Sequence, residues 1–157
     1  MSYIRKKTIE GLKSGDKFCI SRTFTKQDML NFADITKDFN PVHFDKRFAQ
    51  VKKFDDCICH GLLIGGMLTE IGGQIGWLAS EIHFCFKKPV YFGDTITCCL
   101  TIIKIDERGR AKAQVLYKNQ HDVLVLEAEL SGIIPQSKEK EILSAMISEG
   151  DITNKLK

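Results

Sequence analysis

The 157-residue sequence predicts an α+β fold in which an antiparallel sheet wraps around one central apolar helix. Three observations support this. A single long apolar, glycine-rich segment runs from about Gly61 to Leu78. Stretches of alternating apolar and polar residues surround it, separated by short turn-rich segments that favour antiparallel neighbours. The order is one strand, a helical excursion, then four strands in a meander.

Each element has its own local cause. Phe18, Ile20 and Phe24 alternate with Cys19, Ser21 and Thr23, as in a half-buried strand. Thr25 occupies an N-cap position with Asp28 three residues on. Met29, Leu30, Phe32, Ala33 and Ile35 then give helical periodicity that runs out just before Asp38. Asp45 reads as the cap of a short helical turn ending at Val51. In the long helix, Gly65, Thr69, Gly72 and Gly76 form a stripe of small side chains. Glycine costs up to ~1 kcal/mol per interior helix position, so five of them require close approach of a sheet or a partner backbone. Glu70 and Gln74 mark a more polar edge. Ile82, Phe84 and Phe86 alternate in the next strand, and strands follow at about 95–105, 111–118 and 123–134. Residues 1–135 therefore read as one domain, and 136–157 as a polar C-terminal tail with a modest helical pattern (Ile142, Leu143, Met146, Ile147).

Composition narrows the function classes. A chain of this size buries roughly two-thirds of its unfolded surface and needs no metal or disulfide to form a core. Its 23 basic and 20 acidic residues are dispersed, which argues against a nucleic-acid binder. The apolar run Leu62–Leu78 is the one membrane-span candidate. Five glycines, Glu70 and Gln74 make it a buried helix instead, so no membrane partner is expected. The start, Met1 to Gly11, has no apolar stretch. The six cysteines lie largely at apolar strand positions and read as reduced thiols in a cytoplasmic protein.

Most of the functional content lies in Asp38-Phe39-Asn40-Pro41-Val42-His43. In a continuous helix, five residues at about 100° each would leave the carboxylate and imidazole roughly 140° apart. Pro41 lacks the N–H a helix interior needs, and Asn40 before it is pushed toward extended backbone. A bend there aims both groups at one small volume, as paired acid/base work on water requires. Gly61 opens the apolar helix, and a helix N-terminus presents unpaired amides to a developing oxyanion.

Together with His60-Gly61-Leu62-Leu63 and the later Pro89-Val90-Tyr91-Phe92-Gly93-Asp94-Thr95-Ile96, this motif resembles the MaoC-like (R)-specific enoyl-CoA hydratases over roughly residues 12–134. The resemblance implies a hot-dog fold, usually a homodimer, that adds water to a trans-2-enoyl thioester to give the (R)-3-hydroxyacyl product. It places Asp38 and His43 as the catalytic pair and Gly61 as the amide that holds the thioester oxygen. Asn40 and Thr69 join Gly61 as candidate substrate contacts, although loop shaping and packing are their plainer roles. The family commonly has Gly immediately before the Asp; here it is Lys37, which would be strained at positive φ.

The reaction needs no metal or redox cofactor. The partner it implies is an acyl-CoA or acyl-carrier-protein thioester. A dehydratase of carrier-protein substrates, a non-catalytic acyl-CoA-binding regulator and a thioesterase are the alternatives on this fold. Two metal readings are weaker. His43-Phe44-Asp45 with His121 mimics a two-His, one-carboxylate iron site, but those usually occur in all-β barrels. Cys57-Ile58-Cys59-His60 has tight spacing and no second ligand pair for zinc. His83 and His121 read as exposed. Lys52, Lys53, Lys87 and Lys88 are placed to meet coenzyme A phosphates, though solvated lysines are commoner.

Overall fold

The computed structural model describes residues 2–154; Met1 and residues 155–157 of the tail lie outside the described residues. Before the first strand, where apolar periodicity is lacking, Ser2 caps a helix, α1 (Tyr3–Glu10), by accepting from the Arg5 amide. Strand β1 (Lys17–Thr23) leads to α2 (Lys26–Thr36), whose Thr25/Asp28 capping box forms in full. A 3₁₀ turn over Pro41–His43 and α3 (Lys46–Val51), capped by the Asp45 side chain, complete the excursion.

The central helix is shorter than its apolar run and is kinked. It comprises α4 (Gly61–Gly65) and α5 (Met67–Ile75), joined at Gly66. Gly76 ends it at φ 79°, and Leu78 already belongs to β2 (Leu78–Phe86), which starts four residues before the predicted strand. The kink has an accounting in hydrogen bonds. The Thr69 amide bonds the Gly66 carbonyl at 3.0 Å instead of reaching back four residues to Gly65. The Gly65 carbonyl is taken by the buried Tyr117 hydroxyl at 2.8 Å. The small-residue stripe is split accordingly. A Cβ on Gly61 would stand 2.5 Å from the Phe86 ring, and one on Gly65 2.9 Å from the Phe84 ring, so β2 makes the close approach there. Thr69, by contrast, is exposed. Gln74 is buried and Glu70 pairs with Arg22, so their shared polar edge divides between core and surface.

The remaining strands are β3 (Thr95–Ile105), β4 (Arg110–Lys118) and β5 (Leu124–Ile133). Every pairing is antiparallel, in the order β1-β3-β4-β5-β2. The four-strand meander is thus corrected: β2 lies beyond β5 at the sheet edge. Its link to β3, residues 87–94, is a crossover carrying Pro89 and Gly93 rather than a tight turn. Inward-facing Ile96, Cys98, Leu100 and Ile102 of β3, with Val115 and Tyr117 of β4, pack against Met67, Ile71 and Ile75 of the helix.

Cys19 and Cys99 are register partners on the outward faces of β1 and β3 and are joined as a disulfide, correcting the expectation of six reduced thiols. Periodicity reveals which face a cysteine occupies but not which residue stands opposite it. Cys57, Cys59, Cys85 and Cys98 are free. No described helix is long and apolar enough to cross a membrane.

The tail forms α6 (Ser137–Ser148), and the residues after it fasten the two ends of the chain to α5. Arg5, 2% exposed, donates to the carbonyls of Gln74 (2.7 Å) and Gly73 (3.2 Å) and pairs with Asp151 at 3.0 Å. Gln74 in turn donates to the Thr153 carbonyl and accepts from Ser2. The guanidinium therefore satisfies the Gln74 carbonyl, which the helix end leaves unpaired, at the negative pole of its dipole, and gives the Gly73 carbonyl a second donor beside the Gly76 amide. Arg5→Ala should lower unfolding free energy by about 2–4 kcal/mol, because these buried acceptors lose their donor. Denaturant melts followed by circular dichroism measure this, and an unchanged midpoint would refute the clamp.

Candidate active site

Lys37 ends α2 in the left-handed region, at φ 61° and ψ 23°, the strained conformation that its place before Asp38 raised. Two side-chain turns follow. The Asn40 amide donates to Asp38 Oδ1 at 3.2 Å, and the Val42 amide to Asn40 Oδ1 at 3.2 Å. Together with Pro41, they fold the segment back on itself. Asp38 Oδ1 is thereby occupied, while Oδ2 lies 4.0 Å from His43 Nε2. Five residues of chain bring a carboxylate and an imidazole to one place, as the bend predicts.

The chemistry of His43 follows from its other nitrogen. Nδ1 lies 2.8 Å from the Ile58 carbonyl, which can only accept, so Nδ1 carries the hydrogen. The neutral ring then holds its lone pair on Nε2, facing Asp38. Burial pushes the imidazole below its ordinary value of 6.5, with His60 adding to the fall, while the Ile58 bond and Asp38 oppose it. His43 is consequently a neutral acceptor at pH 7. Two acceptors that share one water at about 2.8 Å each stand roughly 4–4.5 Å apart. The Asp38–His43 separation matches this.

His43 and Gly61 both line a cavity of about 410 Å³ whose other walls include Ile58, Ile64, Phe86 and Leu126. Among the described residues, no hydrogen bond engages the Gly61 or Leu62 amide, so the start of α4 has donors to offer. Asp38 does not itself line the cavity; its side chain is about half exposed and reaches the site beside His43. Asn40 is exposed with its side-chain oxygen committed to the turn. Thr69 stands apart from the cavity, its hydroxyl donating to the Gly66 carbonyl at 2.7 Å.

One residue of this cluster stands in the sequence motif without a role assigned to it. His60 is 1% exposed, stacks on His43 with ring centroids 3.8 Å apart, and places Nε2 2.9 Å from the Asp38 carbonyl. Its signal is a histidine at an N-cap position that makes no capping bond. Asp38, His43 and His60 offer three donor atoms within 4.8 Å of one another. They fit a metal poorly. Tetrahedral zinc would hold donors about 3.4 Å apart, yet each imidazole Nε2 stands 4.0 Å from Asp38 Oδ2. His60 Nε2 is also committed, donating to the Asp38 carbonyl at 2.9 Å. His121 lies in the exposed β4–β5 turn, and Cys57 and Cys59 are not part of this group of donors.

The chain was compared with known proteins. A family model described as a MaoC-like domain matches residues 12–124. The mitochondrial 3-hydroxyacyl-[acyl-carrier-protein] dehydratase of Arabidopsis thaliana is 29% identical over 143 residues, covering 85% of this chain and 83% of the relative. The (R)-specific enoyl-CoA hydratase of Aeromonas caviae is 30% identical over 102 residues, covering 62% of this chain and 76% of the relative. The solved structure of the (R)-hydratase from A. caviae superimposes with a TM-score of 0.75 at 27% identity, covering 80% of this chain and 99% of that one. With its five antiparallel strands around a glycine-rich helix, the chain has the hot-dog fold and belongs to the MaoC-like domain family.

Proposed function

We propose that the protein adds water to trans-2-enoyl-CoA thioesters to give (R)-3-hydroxyacyl-CoA, and that Asp38, His43 and Gly61 do the chemistry. The observation that supports this best is the orientation of His43. Its Nε2 lone pair faces Asp38 Oδ2 across 4.0 Å, in a ring that shares a cavity with the Gly61 amide. A water held between the two acceptors gives its proton to His43 Nε2 as its oxygen bonds C3 of the enoyl group. Electron density shifts onto the thioester oxygen, which accepts from the Gly61 N–H at the positive end of α4. The imidazolium, stabilised by the Asp38 carboxylate, then returns the proton to C2. One water is consumed, and the base is regenerated.

A second reading is favoured by the Arabidopsis relative, a 3-hydroxyacyl-[acyl-carrier-protein] dehydratase that matches over most of both chains. The same groups run the reaction backwards on a carrier-protein thioester. Relative rates on CoA and carrier-protein substrates separate the two.

We further infer a homodimer. Strand β2 is a sheet edge whose outer backbone is unpaired among the described residues, and Leu78 (73%), Ile82 (37%) and Phe86 (55%) are exposed along it. Exposed Leu62 continues this apolar surface onto the helix. An unpaired edge with an apolar flank is a template for strand pairing. Light scattering should give twice the 17.8 kDa chain mass, and Ile82→Lys should shift it toward the monomer. A monomeric wild type would refute the inference.

Asp38→Asn and His43→Gln should each lower crotonyl-CoA hydration roughly 10²–10⁴-fold with folding intact, as read by loss of the conjugated thioester's absorbance. Wild-type rates in both variants would end the assignment. The pH profile has a definite sign. A base depressed below 6.5 works unprotonated, so kcat/KM should stay level through neutrality and fall only as pH drops beneath that value. An acid limb above 6.5 would count against His43 as the base.

A further inference from the structure

We propose that His60 is a positioning residue, a single buried ring that supports His43 with its face and holds the Asp38 main chain with its Nε2–H. The proposal rests on the hydration reading and extends it to a side chain outside the reacting groups. His60 does not line the cavity, so it is placed to act through its neighbours.

Three elements meet on this ring. Phe32 of α2 approaches at 5.2 Å and Phe44, just after the 3₁₀ turn, at 6.1 Å edge-on, with His43 stacked at 3.8 Å. The Asp38 carbonyl accepts from Nε2 at 2.9 Å, which fixes the hydrogen there and leaves the lone pair on Nδ1. That Nδ1 is buried without a hydrogen-bond partner among the described residues. An orphaned polar atom in a closed interior is a destabilising choice that an apolar ring of similar shape would avoid. Retaining an imidazole here is accounted for by its other edge. The Nε2–H bond pins the backbone of Asp38 at the C-terminus of α2, while the ring face fixes the plane of His43. The 4.0 Å gap between Asp38 Oδ2 and His43 Nε2 is therefore set from beneath by one residue. It also follows why the residue immediately precedes Gly61: the ring that orients the base and the amide offered to the oxyanion share one peptide bond.

The test separates contact from scaffold. His60→Phe keeps a ring for stacking and removes the donor, whereas His60→Gln keeps a donor and removes the ring. In His60→Phe, kcat for crotonyl-CoA should fall roughly 10–100-fold with KM within about twofold, the mark of lost alignment rather than lost binding. His60→Gln should recover part of that loss. Imidazole NMR gives a readout independent of turnover. Burial and His60 both depress His43, while Asp38 raises it, so His60→Phe should move the His43 midpoint upward. Lys87, Lys88 and Cys59, which share the cavity with His43, are unchanged in the variant. If His60→Phe does not fold, His60→Gln carries both measurements, with a smaller fall in kcat and the same upward midpoint. Wild-type kcat with an unmoved His43 midpoint would overturn the proposal and leave the hydration reading standing. A wild type with no hydration or dehydration activity would sink that reading, and the His43 midpoint would still decide the role of His60.

Discussion

The hydrogen bond from His43 Nδ1 to the Ile58 carbonyl decides what the rest of the site can do. Without it, either tautomer is available and the Nε2 lone pair has no fixed direction. Its acceptor is itself held from two sides. The Ile58 amide bonds the Val42 carbonyl, and Ile58 bridges to Tyr91 while the Cys59 amide bonds Val90. The β2–β3 crossover therefore does more than connect strands. Because β2 lies at the far edge of the sheet, the chain must cross on its way to β3, and this path clamps the segment that orients His43. Sheet topology and imidazole tautomer are linked by those few main-chain bonds.

The central helix imposes a second constraint from the opposite side. Gly61 and Gly65 let the Phe86 and Phe84 rings lie nearly on the helix backbone, at distances no Cβ would tolerate. Phe86 is also a wall of the cavity, so the glycines that seat α4 on β2 shape the place where an acyl group would lie. The kink at Gly66 frees the Gly65 carbonyl, and Tyr117 satisfies it from the sheet. A buried hydroxyl bonded in this way costs little, whereas an unpaired carbonyl would cost about 1–3 kcal/mol.

Much of this was legible in the sequence where local chemistry decides the outcome. The Thr25/Asp28 capping box, the Asp45 cap and the bend at Asn40-Pro41 depend on residues within a few positions of one another. The positive φ at Lys37 was raised only by the family's usual glycine at that position. What was not legible depends on pairing between distant segments. The β2 edge position, the Cys19–Cys99 disulfide and the Arg5 clamp each join residues tens of positions apart, and no periodicity encodes such partners. The helix end at Ile75 fell between these cases. Trp77 and Leu78 extend the apolar run, but the left-handed Gly76 turns the chain into β2. His60 is a further case: it belongs to the recognisable motif with Gly61, but its own surroundings are visible only once His43 stacks on its ring and the Asp38 carbonyl meets its Nε2.

The cavity also carries an argument about which thioester chemistry its walls favour. A covalent route would need a nucleophile to take the acyl group from its carrier. Cys59 is the sole cysteine on the lining, and burial pushes its thiol up to about 12, with Asp94 and Asp28 reinforcing the rise. At neutral pH essentially none of it is thiolate, which is the nucleophilic form. Lys87, on the same lining, is raised by its bond to Glu127 and so is a cation rather than a free amine. Among the described residues, no serine or threonine lines the cavity. The reactive atoms that remain are the acceptors of His43 and Asp38, whose spacing suits a water, and the Gly61 amide. A pocket with poor internal nucleophiles beside an oriented imidazole supports the proposed attack by water. With an apolar wall for the chain and the Gly61 amide free to donate, this lining supports the proposed conjugate addition to an enoyl thioester.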